Sequence, residues 1–140
     1  MELDRRKRVL IVDDEANQRS AVSRMVERWG FITDTAEDGQ SALDKLAGFD
    51  PHAIVTDVMM PGMDGMELLR RVNELPGAPP VIVLTAFGSM EAALTTVHEH
   101  GAFWFVEKPI RPRAFRVLLD RAVAHHRLHE DKERLERQLS

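Results

Sequence analysis

Residues 53–65, with the sequence AIVTDVMMPGMDG, join a short apolar run to an acidic residue and then to a loop containing proline and glycine. An apolar run bounded by such turn residues indicates a buried strand. A strand that ends here leaves the carboxylate of Asp57 exposed at its tip. A simpler reading is that Asp57 caps a helix, although Asp64 is better placed to cap the helix that follows.

Three other apolar runs end in the same way, with a polar residue within two positions of the end of the run. The four runs are 9–12, 53–55, 81–84 and 103–106, and the polar residues after them are Asp13 with Asp14, Asp57, Thr85 and Lys108. Helical patterns alternate with these runs, which favours βαβ units and a parallel sheet. The carboxyl ends of parallel strands share one edge of the sheet, and ligands bind there.

The remaining segments complete a five-fold βα repeat. Residues 31–36 alternate apolar and polar side chains, as an edge strand does, and the unbroken apolar run 81–84 predicts a strand that is buried on both faces. The fourth helix should place Ala93, Leu94 and Val97 towards the core. The last helix should begin after Pro109 and run to Ser140.

The end of the chain departs from the pattern of a globular domain. We predict a domain over residues 1–124 and a separate helical segment over 125–140. The only apolar residues of this segment are Leu128, Leu135 and Leu139. The segment is either the start of a coiled coil or a frayed helical linker, and the sequence favours neither. Because the chain stops within the pattern, we expect it to be a fragment of a longer protein.

Composition narrows the class of protein. The chain has 140 residues, of which 44% are hydrophobic and 30% are charged, as in one soluble globular domain. A net charge of -4 gives no reason to expect nucleic-acid binding. The absence of cysteine excludes disulfides and fits a reducing compartment. Neither a secretory signal nor an apolar span of roughly 20 residues is present, so we expect a cytoplasmic protein without a membrane segment.

The residues at the sheet edge indicate a site for a divalent cation and a phosphoryl group. Two adjacent carboxylates such as Asp13 and Asp14 repel by about 4 kcal/mol at 4 Å and an effective dielectric constant of 20. A cation relieves that repulsion, and Mg²⁺ prefers oxygen ligands. Thr85 can donate a hydrogen bond to a phosphate oxygen, the small Ala86 leaves room for it, and Lys108 adds positive charge.

Each of these residues also has an ordinary structural explanation. Asp13 or Asp14 could cap the first helix, Thr85 could cap the fourth, and Lys108 with Pro109 could form a simple turn. It is improbable that four separate structural explanations would all apply at the same edge of the sheet, and this favours the functional interpretation.

The pairs Asp13-Asp14, Thr85-Ala86 and Lys108-Pro109, together with Asp57 and the MMPGMDG that closes the 53–65 stretch, resemble the receiver domain of bacterial two-component response regulators. The resemblance covers roughly residues 7–124. Residues 85–93 and 101–103 resemble the receivers of nitrogen-regulation-type, sigma-54-dependent activators. The family implies a flavodoxin-like, doubly wound (βα)5 fold with a five-stranded parallel sheet in the order 2-1-3-4-5, here with an extended C-terminal helix.

The resemblance also implies a role for each residue. The family implies that Asp57 is the phosphoacceptor and that Lys108 contacts the phosphate. Mg²⁺ would be bound by Asp14, Asp57 and the Met59 backbone carbonyl, and by Asp13 through a water. Thr85 and Phe105 would move inwards as the switch. Position 105 is often tyrosine in this family but is phenylalanine here. Met59 and Phe87 flank the approach of water to the phosphate and are expected to set its lifetime. Trp104 is either a partner contact or simple edge packing.

The implied function is a phosphorylation-dependent signalling switch, without turnover as an enzyme, that receives its phosphoryl group from a sensor histidine kinase and controls transcription. A homodimer would use either the fourth helix, fifth strand and fifth helix or the C-terminal helix. A magnesium-dependent phosphatase is the enzymatic alternative, but Met59 stands where a second acid is needed. A flavodoxin-like nucleotide binder would need a glycine-rich loop after the first strand, and that loop is absent.

Overall fold

A computed structural model of the chain describes residues 6–60, 62–86 and 88–139. Strands and helices alternate along these residues. They are β1 Arg8–Val12, α1 Ala16–Arg28, β2 Ile32–Ala36, α2 Gly39–Phe49, β3 Ala53–Asp57, α3 Gly65–Asn73, β4 Val81–Thr85, α4 Met90–His100, β5 Trp104–Glu107 and α5 Pro112–Leu139. The five strands form one parallel sheet in the order β2-β1-β3-β4-β5, which confirms the predicted fold.

The sheet has a separate hydrophobic core on each face, because successive side chains of a strand point to opposite faces. Val9 and Ile11 of β1 pack on one face with side chains of α1 and α5, including Val26 and Phe115. Leu10 and Val12, together with side chains of α2, α3 and α4, form the core on the other face. Helices on both faces explain why every residue of β3 and β4 is buried.

The helix boundaries separate the two interpretations of several polar residues. The Asp64 side chain accepts a hydrogen bond from the Glu67 N–H at 2.9 Å and caps α3, as predicted. Thr85 does not cap α4, because that helix begins at Met90 and its N-cap residue is Ser89. The N-cap residue of α1 is Glu15, so neither Asp13 nor Asp14 holds that position.

Three details of the predicted elements are wrong. Strands β2 and β5 begin at Ile32 and Trp104, each one residue later than predicted, although the Phe103 N–H still donates to the Val81 carbonyl at 2.8 Å. In α4, Leu94 is exposed and Thr96 is buried. Thr96 tolerates burial because its hydroxyl donates a hydrogen bond to the Ala92 carbonyl at 3.0 Å.

Helix α5 has two different halves. Its first half is anchored in the core by the buried Phe115, Leu119 and Ala122, and its second half carries exposed leucines at 128, 135 and 139. The helix is continuous to Leu139, so the extended C-terminal helix is confirmed for the described residues. None of the helices in this described part of the chain has both the length and the apolar composition needed to cross a membrane.

Two histidines pack together where α5 crosses the end of the sheet opposite to Asp57. The backbone N–H of Arg8 donates to His52 Nδ1 at 3.0 Å, and the His52 ring meets the His126 ring nearly edge-on, with centroids 6.2 Å apart. His126 is buried, and its Nε2 lies 2.8 Å from Glu130 Oε1. Burial, and after it the charges of Arg8 and Lys7, lower the pKa of His52 from 6.5 to about 4, against the opposing charge of Asp50.

The depressed pKa of His52 predicts that acid destabilises the fold. Between pH 6.5 and 4 the unfolded chain binds a proton at His52 that the folded chain excludes, so the free energy of unfolding falls as pH decreases. We expect a loss on the order of 1 kcal/mol between pH 6.5 and 5, measured by urea denaturation. His126, whose pKa is lowered by burial, adds to the same trend.

A His52→Asn variant isolates this effect, because asparagine keeps an acceptor for the Arg8 N–H and does not titrate. Its stability should fall less between pH 6.5 and 5 than that of the wild type. His98→Asn, at an exposed position of α4, is the matched control and should keep the full fall. An equal pH dependence in His52→Asn and the wild type contradicts the assignment.

Candidate functional site

The sheet topology brings the predicted polar residues to one edge. From β1 the chain runs outwards to β2, and then returns to the other side of β1 to form β3, so the strand order reverses between β1 and β3. Asp13 and Asp14 follow β1, and Asp57 is the last residue of β3. Clefts at such reversal points are the usual ligand sites of open α/β sheets.

The three carboxylates form one cluster. Asp13, Asp14 and Asp57 each place a carboxylate oxygen within 4.8 Å of the other two. Asp13 is only 1% exposed and Asp57 is 8% exposed, whereas Asp14 is open to solvent. Asp13 Oδ1 accepts a hydrogen bond from the Glu15 N–H at 2.9 Å, but its buried Oδ2 has no hydrogen-bond partner among the described residues.

This cluster fits a hard divalent cation. Burial, and to a smaller extent the neighbouring charges of Asp57 and Asp14, raise the pKa of Asp13 above its usual value, while the Glu15 N–H and Lys108 oppose the rise. A buried acceptor without a partner is costly unless a cation or a water satisfies it. The donor set consists only of carboxylate oxygens, which is the chemistry that Mg²⁺ and Ca²⁺ select.

Both oxygens of Asp57 are engaged. Oδ1 accepts the Met59 N–H at 3.1 Å, and Oδ2 accepts the Lys108 ammonium at 2.6 Å. Lys108 stands next to β5, two strands away from Asp57, and the Lys108–Pro109 peptide bond is cis. The ammonium group therefore supplies positive charge directly at the carboxylate that the sequence singled out.

The other predicted residues lie around this pair. Thr85, the last residue of β4, is 7% exposed, and Ala86 after it is exposed. Phe105 is already buried, at 9% exposure, and Trp104 stacks on it with centroids 5.4 Å apart while remaining 41% exposed. This partial exposure of Trp104 is compatible with either a partner contact or simple edge packing. The Met59 side chain is 78% exposed beside the cluster, and Phe87 lies outside the described residues.

Two residues of the site were not predicted. Glu107, the last residue of β5, accepts a hydrogen bond from the Gly88 N–H at 3.3 Å through its Oε2. A Cβ atom at Gly65 would press against the Asp57 carbonyl oxygen and lie 2.8 Å from Val58 Cα. The sequence signals for them are slight, namely an acid beside Lys108 and a glycine in the loop after Asp57.

The sequence matches the response regulator receiver domain family over residues 9–120. With the reversed strand order and the acidic cluster paired to a lysine, this match defines the class: the chain belongs to the receiver domain family of two-component response regulators. It is therefore a regulatory domain of a signalling system.

Its relatives include transcriptional regulators. The chain is 34% identical over 116 residues to the DNA-binding transcriptional regulator NtrC of Klebsiella pneumoniae. The aligned residues cover 83% of this chain and 24% of NtrC. It is 33% identical over 133 residues to the regulatory protein AtoC of Escherichia coli, covering 95% of this chain and 29% of AtoC. The chain thus spans about a quarter of the length of these relatives.

Solved structures agree with this placement. NtrX from Brucella abortus superimposes with a TM-score of 0.82 at 28% identity, covering 93% of this chain and 29% of NtrX. A putative response regulator from Chloroflexus aurantiacus gives 0.80 at 28% identity, covering 86% of this chain and 99% of that chain. The predicted resemblance to nitrogen-regulation-type receivers is confirmed by NtrC and NtrX.

Proposed function

We propose that the chain is a phosphorylation-controlled switch in which Asp57 accepts a phosphoryl group from a phosphohistidine of a sensor histidine kinase. The observation that carries the proposal is the Lys108 ammonium held 2.6 Å from Asp57 Oδ2 within a cluster of three carboxylates. Phosphoryl transfer depends on positioning the groups and neutralising their charge, which this arrangement supports.

The proposed transfer exchanges one bond for another. A carboxylate oxygen of Asp57 forms a bond to phosphorus, while the bond from phosphorus to the histidine nitrogen breaks and its electron pair returns to the imidazole. Lys108 stays close to the group as its charge develops. Thr85, the last residue of β4, and the backbone of Ala86 after it are the donors that we propose for the phosphate oxygens, and β4 is the strand next to β3.

We propose Mg²⁺ as the cation of the site. Asp14, Asp57 and the backbone carbonyl of Met59 would hold it directly, and Asp13 would act through a bound water. When bound, the ion neutralises the charge of the carboxylates and of the incoming phosphoryl group. The buried Oδ2 of Asp13, which has no hydrogen-bond partner among the described residues, is consistent with this set.

The proposed output is control of transcription. NtrC is a DNA-binding transcriptional regulator, and this chain spans only a quarter of it. The net charge of the chain is -4, which gives no reason to propose that the domain over residues 1–124 binds nucleic acid itself. We propose that phosphorylation draws Thr85 inwards, beside a Phe105 side chain that is already buried, and changes a homodimer contact made by α4, β5 and α5, or by the end of α5.

Acetyl phosphate and Mg²⁺ test the proposal directly. The intact mass of the protein should rise by one phosphoryl group, and peptide mapping after trapping the acyl phosphate should place that group on Asp57. Chelation of Mg²⁺ should prevent the reaction. No mass increase with Mg²⁺ present, or modification at another residue, contradicts the proposal.

We expect the phosphorylated form to be long-lived. Hydrolysis of an acyl phosphate needs a water in line with phosphorus, and the exposed Met59 beside Asp57 cannot orient one. Phe87, two positions after Thr85, is equally apolar. Replacing Met59 by asparagine and Phe87 by glutamate together should speed the loss of the phosphoryl group, followed by intact mass over time.

The matched control for this prediction is Met59→Leu, which keeps an apolar side chain and should keep the slow decay. A wild-type half-life of seconds contradicts the prediction. So does a doubly substituted protein that decays no faster than the wild type.

A further inference from the structure

The loop between β4 and α4 is held by a carboxylate on the strand next to it. Glu107 Oε2 accepts the Gly88 N–H at 3.3 Å, across 19 positions of sequence. For Ala86, Gly88 and Ser89, the described residues between β4 and α4, this is the one hydrogen bond that a side chain from another element makes to them. Gly88 has a φ of +85°, a left-handed conformation that glycine adopts without strain.

The strand order places this loop between two acidic groups. β4 lies between β3, which ends in Asp57, and β5, which ends in Glu107, and Thr85 is paired in register with Glu107. Lys108 N–H also donates to the Thr85 carbonyl at 2.8 Å, so the backbone at the end of β4 is fixed to β5. Gly88 is therefore held on the β5 side of β4, away from Asp57.

We propose that Glu107 acts as a latch, whose hydrogen bond holds Gly88 on the β5 side and opposes the movement of Gly88 towards an anionic group on Asp57. The inference rests on the proposed function, because it concerns the phosphorylated site. A phosphoryl group adds about -1.5 to -2 charges at Asp57 and attracts the donors that follow β4. Movement towards it breaks the contact with Glu107.

Glu107 then sets the equilibrium between two positions of Gly88. A ligand shifts such an equilibrium only by its differential affinity for the two states. The apparent affinity of a ligand is reduced when the state that binds it is only sparsely populated before the ligand is added. Glu107 is thus a positioning residue that weakens the response to phosphoryl binding, and it need not touch the phosphoryl group.

Beryllofluoride, a phosphoryl mimic, tests the latch by calorimetric titration in the presence of Mg²⁺. Glu107→Ala should bind beryllofluoride about two- to fivefold more tightly than the wild type, the size expected for losing one partly exposed hydrogen bond. Glu107→Gln keeps an acceptor oxygen and should stay close to the wild-type affinity. A damaged fold would bind more weakly, so tighter binding distinguishes a latch from a structural defect.

Glu99→Ala, at an exposed carboxylate near the end of α4, removes the same charge and should leave the affinity unchanged. Wild-type or weaker binding by Glu107→Ala overturns the latch while the proposed function stands. Equal tightening by Glu107→Gln and Glu107→Ala also overturns it, because charge and not the hydrogen bond would then be responsible. A wild-type protein that binds no beryllofluoride overturns both the latch and the proposed function.

Discussion

Replacement of Asp57 by asparagine should abolish phosphorylation by acetyl phosphate, leaving the intact mass unchanged under conditions that fully convert the wild type. Asparagine keeps the shape of the side chain and an acceptor for the Met59 N–H, but its amide is no longer a carboxylate nucleophile. The fold should survive, because the lost ion pair with Lys108 is offset by weaker repulsion from Asp13 and Asp14. Circular dichroism and urea denaturation check that point.

Asp64→Asn is the matched control for this substitution. Asp64 lies in the same loop but outside the carboxylate cluster, and asparagine caps a helix about as well as aspartate. This variant should be labelled like the wild type. Undiminished labelling of Asp57→Asn would show that another residue accepts the phosphoryl group.

Replacement of Gly65 by alanine should destabilise the protein by about 1–3 kcal/mol, the usual range for overpacking a close contact. The added Cβ would meet the backbone of Asp57 and lie 2.8 Å from Val58 Cα, and neither can turn away as a flexible side chain would. The Gly65 N–H also donates to the Val58 carbonyl at 2.9 Å, which fixes the two segments to each other. Urea denaturation measures the loss.

The same substitution should slow labelling of Asp57, since the displaced backbone carries the phosphoacceptor. Gly48→Ala is the matched control. A Cβ at this helical position would meet no other described part of the chain within 4 Å, and alanine should stabilise α2 by roughly 0.5–1 kcal/mol. Wild-type stability in Gly65→Ala would contradict this prediction, because the backbone of Asp57 and Val58 would then have moved aside without loss of free energy.

The sequence was sufficient for the fold because its signals are local. Each strand is a short apolar run, and parallel strands bring their carboxyl ends to one edge without further information. Asp57, Lys108 and the Asp13-Asp14 pair were therefore predictable as neighbours, although they are far apart in the chain. Their chemical roles remain predictions that the labelling experiments test.

Other features depend on contacts that no local pattern records. The apolar pattern of α4 defines an average inward face, and it could not show that Thr96 satisfies its hydroxyl within the helix and is buried in preference to Leu94. The latch between Glu107 and Gly88 joins two elements through a side chain. The His52–His126 contact likewise depends on how α5 crosses the sheet.

The continuity of α5 has a mechanical consequence. A helix of 28 residues is about 42 Å long, and its buried and exposed halves share one axis. A rotation of the half that contains Phe115 therefore turns the end at Leu139 through the same angle. Deleting one residue from the exposed half shortens the rod by about 1.5 Å but turns its tip by about 100°. A change in the length of α5 therefore alters the angular position of its tip far more than the distance of the tip from the domain.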